Sequence, residues 1–246
     1  MVTIPLVLRI CRYQAICGDF GDLIHNTHIT HLRFYLRLAP FTFILVSMSY
    51  IIVGLGNPGE EYIGTRHNTG RIVLDAVAKE VGIVDEFKFN KKLNAHVAET
   101  KIGKERVTLV EPDTFMNLSG KCVTQLVKSV KAAERLVVIY DDFALPLGRI
   151  KISFNRSSGG HNGVESIIKA LKTEAFVRIR VGTAPEKANG DAKVPHGDEK
   201  VLKFILSKFK DDELKVLKKV GKRVAEAVEV LIRESREKAM SVYNAG

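Results

Sequence analysis

The stretch IIVGLGNPGEEYIGTRHNTG, from Ile51 to Gly70, holds two sets of residues able to do chemistry. Gly54-Leu55-Gly56-Asn57-Pro58-Gly59 satisfies the G-x-G-x-x-G spacing of loops that wrap a pyrophosphate in backbone N–H groups. His67 brings an imidazole, which titrates nearest neutrality and so suits a general base. A dinucleotide cradle needs a helix opening inside the glycine turn and an acidic residue about 20 positions on, at the end of a second strand. Neither demand is met. Glu60 to Thr65 lack apolar periodicity, helical spacing begins only after His67, and Asp75 falls inside that helical pattern. Glu60 and Glu61 would also repel a pyrophosphate. The segment reads instead as a device for positioning side chains: Pro58 fixes φ, Gly56 and Gly59 permit tight paths, and Asn57 is held at a strand's carboxyl end. An Asn in a turn also serves as a local backbone partner, and Arg66-His67-Asn68 could simply cap a helix.

Three further segments put polar groups at strand ends and helix starts. PDTFMNLSGK (Pro112 to Lys121) brings Phe115, Met116 and Asn117 to a helix start, and VIYDD (Val138 to Asp142) ends an apolar strand in two carboxylates. SSGGHNG (Ser157 to Gly163) sets His161 and Asn162 beside a glycine turn that opens a helix. In a doubly wound sheet such points converge on one rim, which would gather Asn57, His67, Asn117, Asp141 and Asn162. No Gly-x-Ser-x-Gly elbow is present, so covalent acyl transfer loses its best support.

The elements that must position these groups alternate between short β-branched runs and helical patterns, the mark of a layered α/β fold. Strands are expected at Tyr50 to Leu55, Ala95 to Thr100, Arg106 to Glu111, Leu136 to Tyr140, Arg149 to Phe154 and Val177 to Val181. Helical spacing links Ile72, Leu74, Val77 and Val81, and likewise Val123, Leu126, Val127 and Val130. Another helix opens over Gly163 to Leu171. Leu214, Leu217, Val220, Val224, Val228 and Leu231 form one stripe of a long amphipathic helix. Pro185 to Gly197 reads as a mobile loop.

Composition divides the chain near Met48. Residues 1–47 contain no Lys and no Glu, yet hold two of the three cysteines and three of the seven histidines. Cys11, Cys17, His25, His28 and His31 lack the spacings of a zinc site, so no metal is expected. The apolar run Leu38 to Met48 is broken by Pro40 and falls short of the ~20 residues of a membrane span. Residues 1–47 are expected to be a foreign or weakly ordered extension, with Met48 as the working start; a transit peptide is the alternative, since Arg9, Arg12, Arg33 and Arg37 outweigh Asp19 and Asp22. That leaves residues 48–246 as one domain whose lone Cys122 implies a reducing compartment, the cytoplasm. The formal charge of +10 and pI near 9.5 favour an anionic partner, nucleic acid foremost.

The four motifs, in this order, closely resemble bacterial-type peptidyl-tRNA hydrolases: strand-GLGNPGxxYxxTRHNxG, TFMNLSG, an acidic strand end near Leu-Pro-x-Gly, and GGHNG. The resemblance covers Met48 to Gly246 and implies a single-domain, three-layer α/β/α fold around a mixed, mostly parallel sheet. It also implies a monomeric, cofactor-free ester hydrolase that recycles tRNA from aborted translation. On that resemblance His67 is the base, Asp141 orients it, and Asn57 completes the catalytic set. Asn117, Asn162 and His161 would hold substrate, with Tyr62 and Phe115 packing on the terminal adenosine or the peptide. Arg149, Lys151, Arg156, Arg178 and Arg180 would contact tRNA phosphates. The chain departs from the family pattern at Tyr140, where His is common, at Phe143-Ala144, and over Asn155 to Ser158. A non-catalytic RNA-binding module on the same fold is the competing expectation.

Overall fold

The β-branched run Tyr50–Gly54 forms strand β1 at the centre of the sheet. The computed structural model describes residues 49–83 and 87–245, so the expectations for residues 1–47 lie outside the described residues. Strands β2 (Lys88–Asn90), β3 (Ala95–Ile102), β4 (Glu105–Pro112), β5 (Leu136–Pro146), β6 (Ile150–Phe154) and β7 (Val177–Ala184) complete one sheet in the order β2-β3-β4-β1-β5-β7-β6. The four central strands, β4, β1, β5 and β7, run parallel, and antiparallel pairing extends both edges. Burial on both faces explains why the central strands read as unbroken apolar runs.

Helices α1 (Thr69–Glu80), α6 (Asp211–Arg233) and α7 (Arg236–Tyr243) cover one face, burying Leu74, Val77, Val224 and Val228 against Ile52 and Leu109. Helices α2 (Ser119–Leu126), α3 (Val130–Ala133) and α4 (Asn162–Leu171) cover the other, packing Val123, Val164 and Ile167 on Val53 and Val138. This is the expected three-layer arrangement. Because α1 leaves β1 onto one face and α2 leaves β4 onto the other, a crevice opens between adjacent strand ends. Gly70 sets how closely α1 sits on that edge: a Cβ there would overlap Leu55 N and the Ile139 carbonyl.

The elements differ from expectation in ways that packing explains. Strand β5 runs past Tyr140 to Pro146, with a register shift against β7 after Asp142. The stripe through Val123 and Val130 is broken: Val127 is extended, and the Ser129 hydroxyl accepts from the Ala132 N–H to start α3 afresh. Pro185 to Gly197 is tied by a bridge between Glu186 and Ala192. Helix α5 (Asp198–Ile205), with no buried residue, follows it. Among the described residues no helix is long and apolar enough to cross a membrane.

Candidate active site

The turn after β1 is held by a neighbour from its own chain segment. The Asn68 side-chain Oδ1 accepts from the Asn57 backbone N–H at 2.8 Å, and the Asn68 Nδ2 donates to the Asn57 backbone carbonyl at 3.0 Å. Asn57 is thereby fixed at both backbone groups, and its own side-chain oxygen accepts from the Met116 N–H at 2.8 Å. That bond spans the crevice between the ends of β1 and β4. It also sets the amide orientation, since a backbone N–H requires an acceptor, so Asn57 Nδ2 is the end left for a ligand. Asn68 escaped the sequence reading, although the tetrapeptide Thr-Arg-His-Asn contains it.

His67 lies in the 3₁₀ turn Arg66–Asn68 that leads into α1, and it is buried. Its Nδ1 is 3.0 and 3.1 Å from the two carboxylate oxygens of Asp141, at the end of the apolar part of β5. An Nδ1–H donated to Asp141 leaves Nε2 as a free acceptor, the state a general base requires. His161 Nε2 lies 3.0 Å from the same Asp141 Oδ1, while its Nδ1 accepts from the Val164 N–H at 3.3 Å. That acceptance puts the proton on Nε2, so a neutral His161 donates to Asp141. Two imidazoles therefore serve one carboxylate.

The charges follow from this arrangement. Burial would raise the Asp141 carboxyl, but the two imidazoles and their hydrogen bonds outweigh it and hold the group well below the usual carboxylate range. Burial would lower His67, yet the Asp141 charge and hydrogen bond prevail and the imidazole ends above its ordinary value. Cys122, on the buried face of α2, is pushed up to about 11 by burial and so offers no thiolate at neutral pH.

A cleft of roughly 1080 Å³ runs from His67, Asp141, His161 and Asn162 past Lys151 and Arg156 to α5. Asn162 is exposed at its mouth, whereas Asn57, Asn117, Tyr62 and Phe115 stand outside its lining, on the β1 and β4 side. Tyr62 and Phe115 pack edge to face with ring centroids 6.4 Å apart, leaving Phe115 half exposed. His161, expected to hold substrate, lines the cleft with both ring nitrogens engaged, by Asp141 and by the start of α4. One expectation is corrected. Arg178, expected at a tRNA phosphate, is fully buried with its guanidinium 4.3 Å from the Phe176 ring, because the alternation of β7 turns it under the α4 layer. Lys151, Arg156 and Arg149 are exposed, and Arg180 is half-buried against Asp142.

The family model described as peptidyl-tRNA hydrolase matches residues 51–246. The chain belongs to the peptidyl-tRNA hydrolase family. It is 43% identical over 197 residues to the peptidyl-tRNA hydrolase of Caldanaerobacter subterraneus subsp. tengcongensis, covering 79% of this chain and 99% of that one. The peptidyl-tRNA hydrolase of Thermodesulfovibrio yellowstonii is 42% identical over 200 residues, with 79% and 98% covered. The crystal structure of peptidyl-tRNA hydrolase from Acinetobacter baumannii superposes with a TM-score of 0.70 at 28% identity, over 81% of this chain and 96% of the other.

Within this peptidyl-tRNA hydrolase fold, His67, Asp141 and His161 are the metal-competent group among the described residues, with donor atoms within 4.8 Å of one another. Both imidazoles direct an N–H at the same carboxylate, so a metal ion would first have to displace both hydrogen bonds. Tyr140, at the position where the resemblance leads one to expect His, is buried beneath the site with its ring 4.7 Å from that of His161. Burial pushes its phenol up to about 12, so it packs as a neutral ring.

Proposed function

We propose that this chain hydrolyses the ester joining a peptide, or an N-blocked amino acid, to the 3′ end of tRNA, using water deprotonated by His67. The observation that carries this reading is the His67–Asp141 pair, which leaves Nε2 aimed away from the carboxylate as a proton acceptor. Water loses its proton to Nε2 as its oxygen attacks the ester carbonyl. The resulting imidazolium is balanced by Asp141 and returns the proton to the departing ribose 3′-oxygen. An alkoxide on ribose is a manageable leaving group, so an activated water suffices without a covalent intermediate. The side-chain N–H groups of Asn57 serve as donors to the developing oxyanion, because the Met116 N–H holds that side chain, and Asn68 its backbone, before substrate arrives. Asn117 and Asn162 are exposed on either side and suit the peptide backbone.

The exposed Lys151, Arg156 and Arg149, with Arg180, supply the cationic surface for tRNA phosphates, in keeping with the basic charge. The protein acts as a monomer in the cytoplasm, without cofactor or metal. A non-catalytic RNA-binding role is the weaker reading, because such a module has no need of a buried His–Asp pair. The test is incubation with N-blocked and with free aminoacyl-tRNA, each with and without chelator. Release of the blocked amino acid alone, at a rate chelator leaves intact, is the expected result. Equal hydrolysis of both would overturn the substrate assignment, and a rate lost to chelator but restored by zinc would overturn the metal-free mechanism.

A further inference from the structure

We propose that Arg66 is a positioning residue that couples the placement of α5 over the cleft to the placement of His67. Arg66 is 7% exposed and lies immediately before His67 in the same 3₁₀ turn. Its guanidinium reaches three separate elements. Nη2 donates to both carboxylate oxygens of Glu213 on α6, at 2.8 and 3.0 Å. Nη1 donates to the Thr183 carbonyl on β7 at 2.8 Å, and Nε donates to the Ser207 hydroxyl at 3.3 Å. The rings of Phe204, on α5, and Phe209 hold the guanidinium carbon at 4.8 and 4.6 Å from their centroids.

The backbone repeats the connection. The Arg66 N–H donates to the Ser207 carbonyl and the Phe209 N–H to the Gly64 carbonyl, so residues 64–66 and 207–209 form a short antiparallel pairing. Helix α5 has no buried residue of its own, and Leu202 is 54% exposed, yet Asp198, Val201, Leu202 and Ile205 wall the cleft. Its hold on the body therefore passes largely through Phe204, Arg66 and the paired segment. On the other side of His67, Asn68 clasps the Asn57 turn. Three consecutive residues thus join the cleft wall, the base and the oxyanion donor, and a displacement of α5 reaches His67 through the Arg66 side chain and the backbone pairing beside it. A planar, doubly hydrogen-bonded guanidinium between two rings is not replaced by lysine.

The inference rests on His67 being the base, so the experiment includes His67→Ala beside Arg66→Lys and Phe204→Leu. All are assayed on N-blocked aminoacyl-tRNA well below their melting temperatures, with the folded fraction followed by circular dichroism. Arg66→Lys is expected to lower kcat about tenfold, as displacement of a catalytic group by a fraction of an ångström does. It should also move the acid limb of kcat/KM to lower pH, because a loosened His67 gains less from Asp141. Phe204→Leu, which leaves the charge and every hydrogen bond in place, is expected to shift kcat and the limb the same way by a smaller factor. Should Arg66→Lys fold poorly, Phe204→Leu carries the test. Unchanged kcat and acid limb in the folded variants, with only a lower melting temperature or a higher KM, would overturn the coupling. An active His67→Ala enzyme would instead overturn the base assignment, and the coupling with it.

Discussion

Asp141, where the apolar part of β5 ends, and Glu111, near the end of β4, stand on the two strands that flank β1, and they meet opposite fates. Both have carboxyl oxygens shut away from water: Asp141 is 3% exposed, and Glu111 Oε1 is buried with no hydrogen-bond partner among the described residues. Burial penalises the ionised form of each. Asp141 faces two imidazole N–H groups and stays charged far into acid. Glu111 faces the carboxylate of Asp75 on α1, which adds to the burial penalty, and Arg71 does not offset the sum, so its carboxyl is pushed up to about 8. Location at a strand end does not make a buried carboxylate catalytic. Its neighbours decide whether it is a fixed charge able to support a base or a proton-holding group that serves packing.

Substitution can break that contrast, and the largest effect belongs to the base itself. His67→Ala is expected to cut turnover about 10²-fold or more while tRNA affinity is retained, as removal of a general base does; single-turnover hydrolysis beside a filter-binding isotherm measures both. Next is Asp141→Asn. Without the carboxylate, burial acts on His67 unopposed, so the imidazole drops below its raised value and the acid limb of the rate profile moves to lower pH. Turnover falls as well, because the amide can present N–H to Nδ1 and favour the wrong tautomer.

A smaller change is expected on the Glu111 side. Because the folded carboxyl is raised from 4.5 to about 8, its stabilising contribution is present below the ordinary value and is lost as pH rises through about 8. Glu111→Gln cannot ionise. The melting temperature of the variant relative to the parent should therefore climb between pH 5 and pH 9, with turnover at neutral pH little changed, and a difference that stays constant with pH would contradict the account of Glu111 as a proton-holding group. The smallest effect concerns the leading segment. Since the family match begins at Ile51, a chain started at Met48 should turn over and melt like the full chain, a comparison that calorimetry and the same hydrolysis assay make directly.

Much of this was legible in the sequence because the central strands are buried on both faces and so appear as β-branched runs. The helix stripe from Leu217 to Leu231 is likewise buried as read. Strand β2 was not legible, since Lys88, Phe89 and Asn90 are all exposed and carry no alternation. Nor was α5, whose Val201, Leu202 and Ile205 face a cleft and not a core. His67, Asp141 and Asn57 were expected as the site because the four motifs resemble those of peptidyl-tRNA hydrolases, and the structure brings His67 and Asp141 into contact. The double use of Asp141 depends on how near α4 approaches β5, a distance that no local pattern encodes. Arg178 misled for the opposite reason: charge suggests surface, but Val177, Ile179 and Val181 occupy one face of β7 and force Arg178 into the other layer.

The central claim is that a neutral His67, its pKa raised by Asp141, takes the proton from water. The pH dependence of kcat/KM on N-blocked aminoacyl-tRNA, measured side by side for the parent enzyme and Asp141→Asn, tests it most directly. The account predicts a single-proton acid limb in the parent, above the ordinary imidazole value of 6.5, that moves to lower pH in the variant as the plateau falls. A limb that stays in place when Asp141 loses its charge would contradict it.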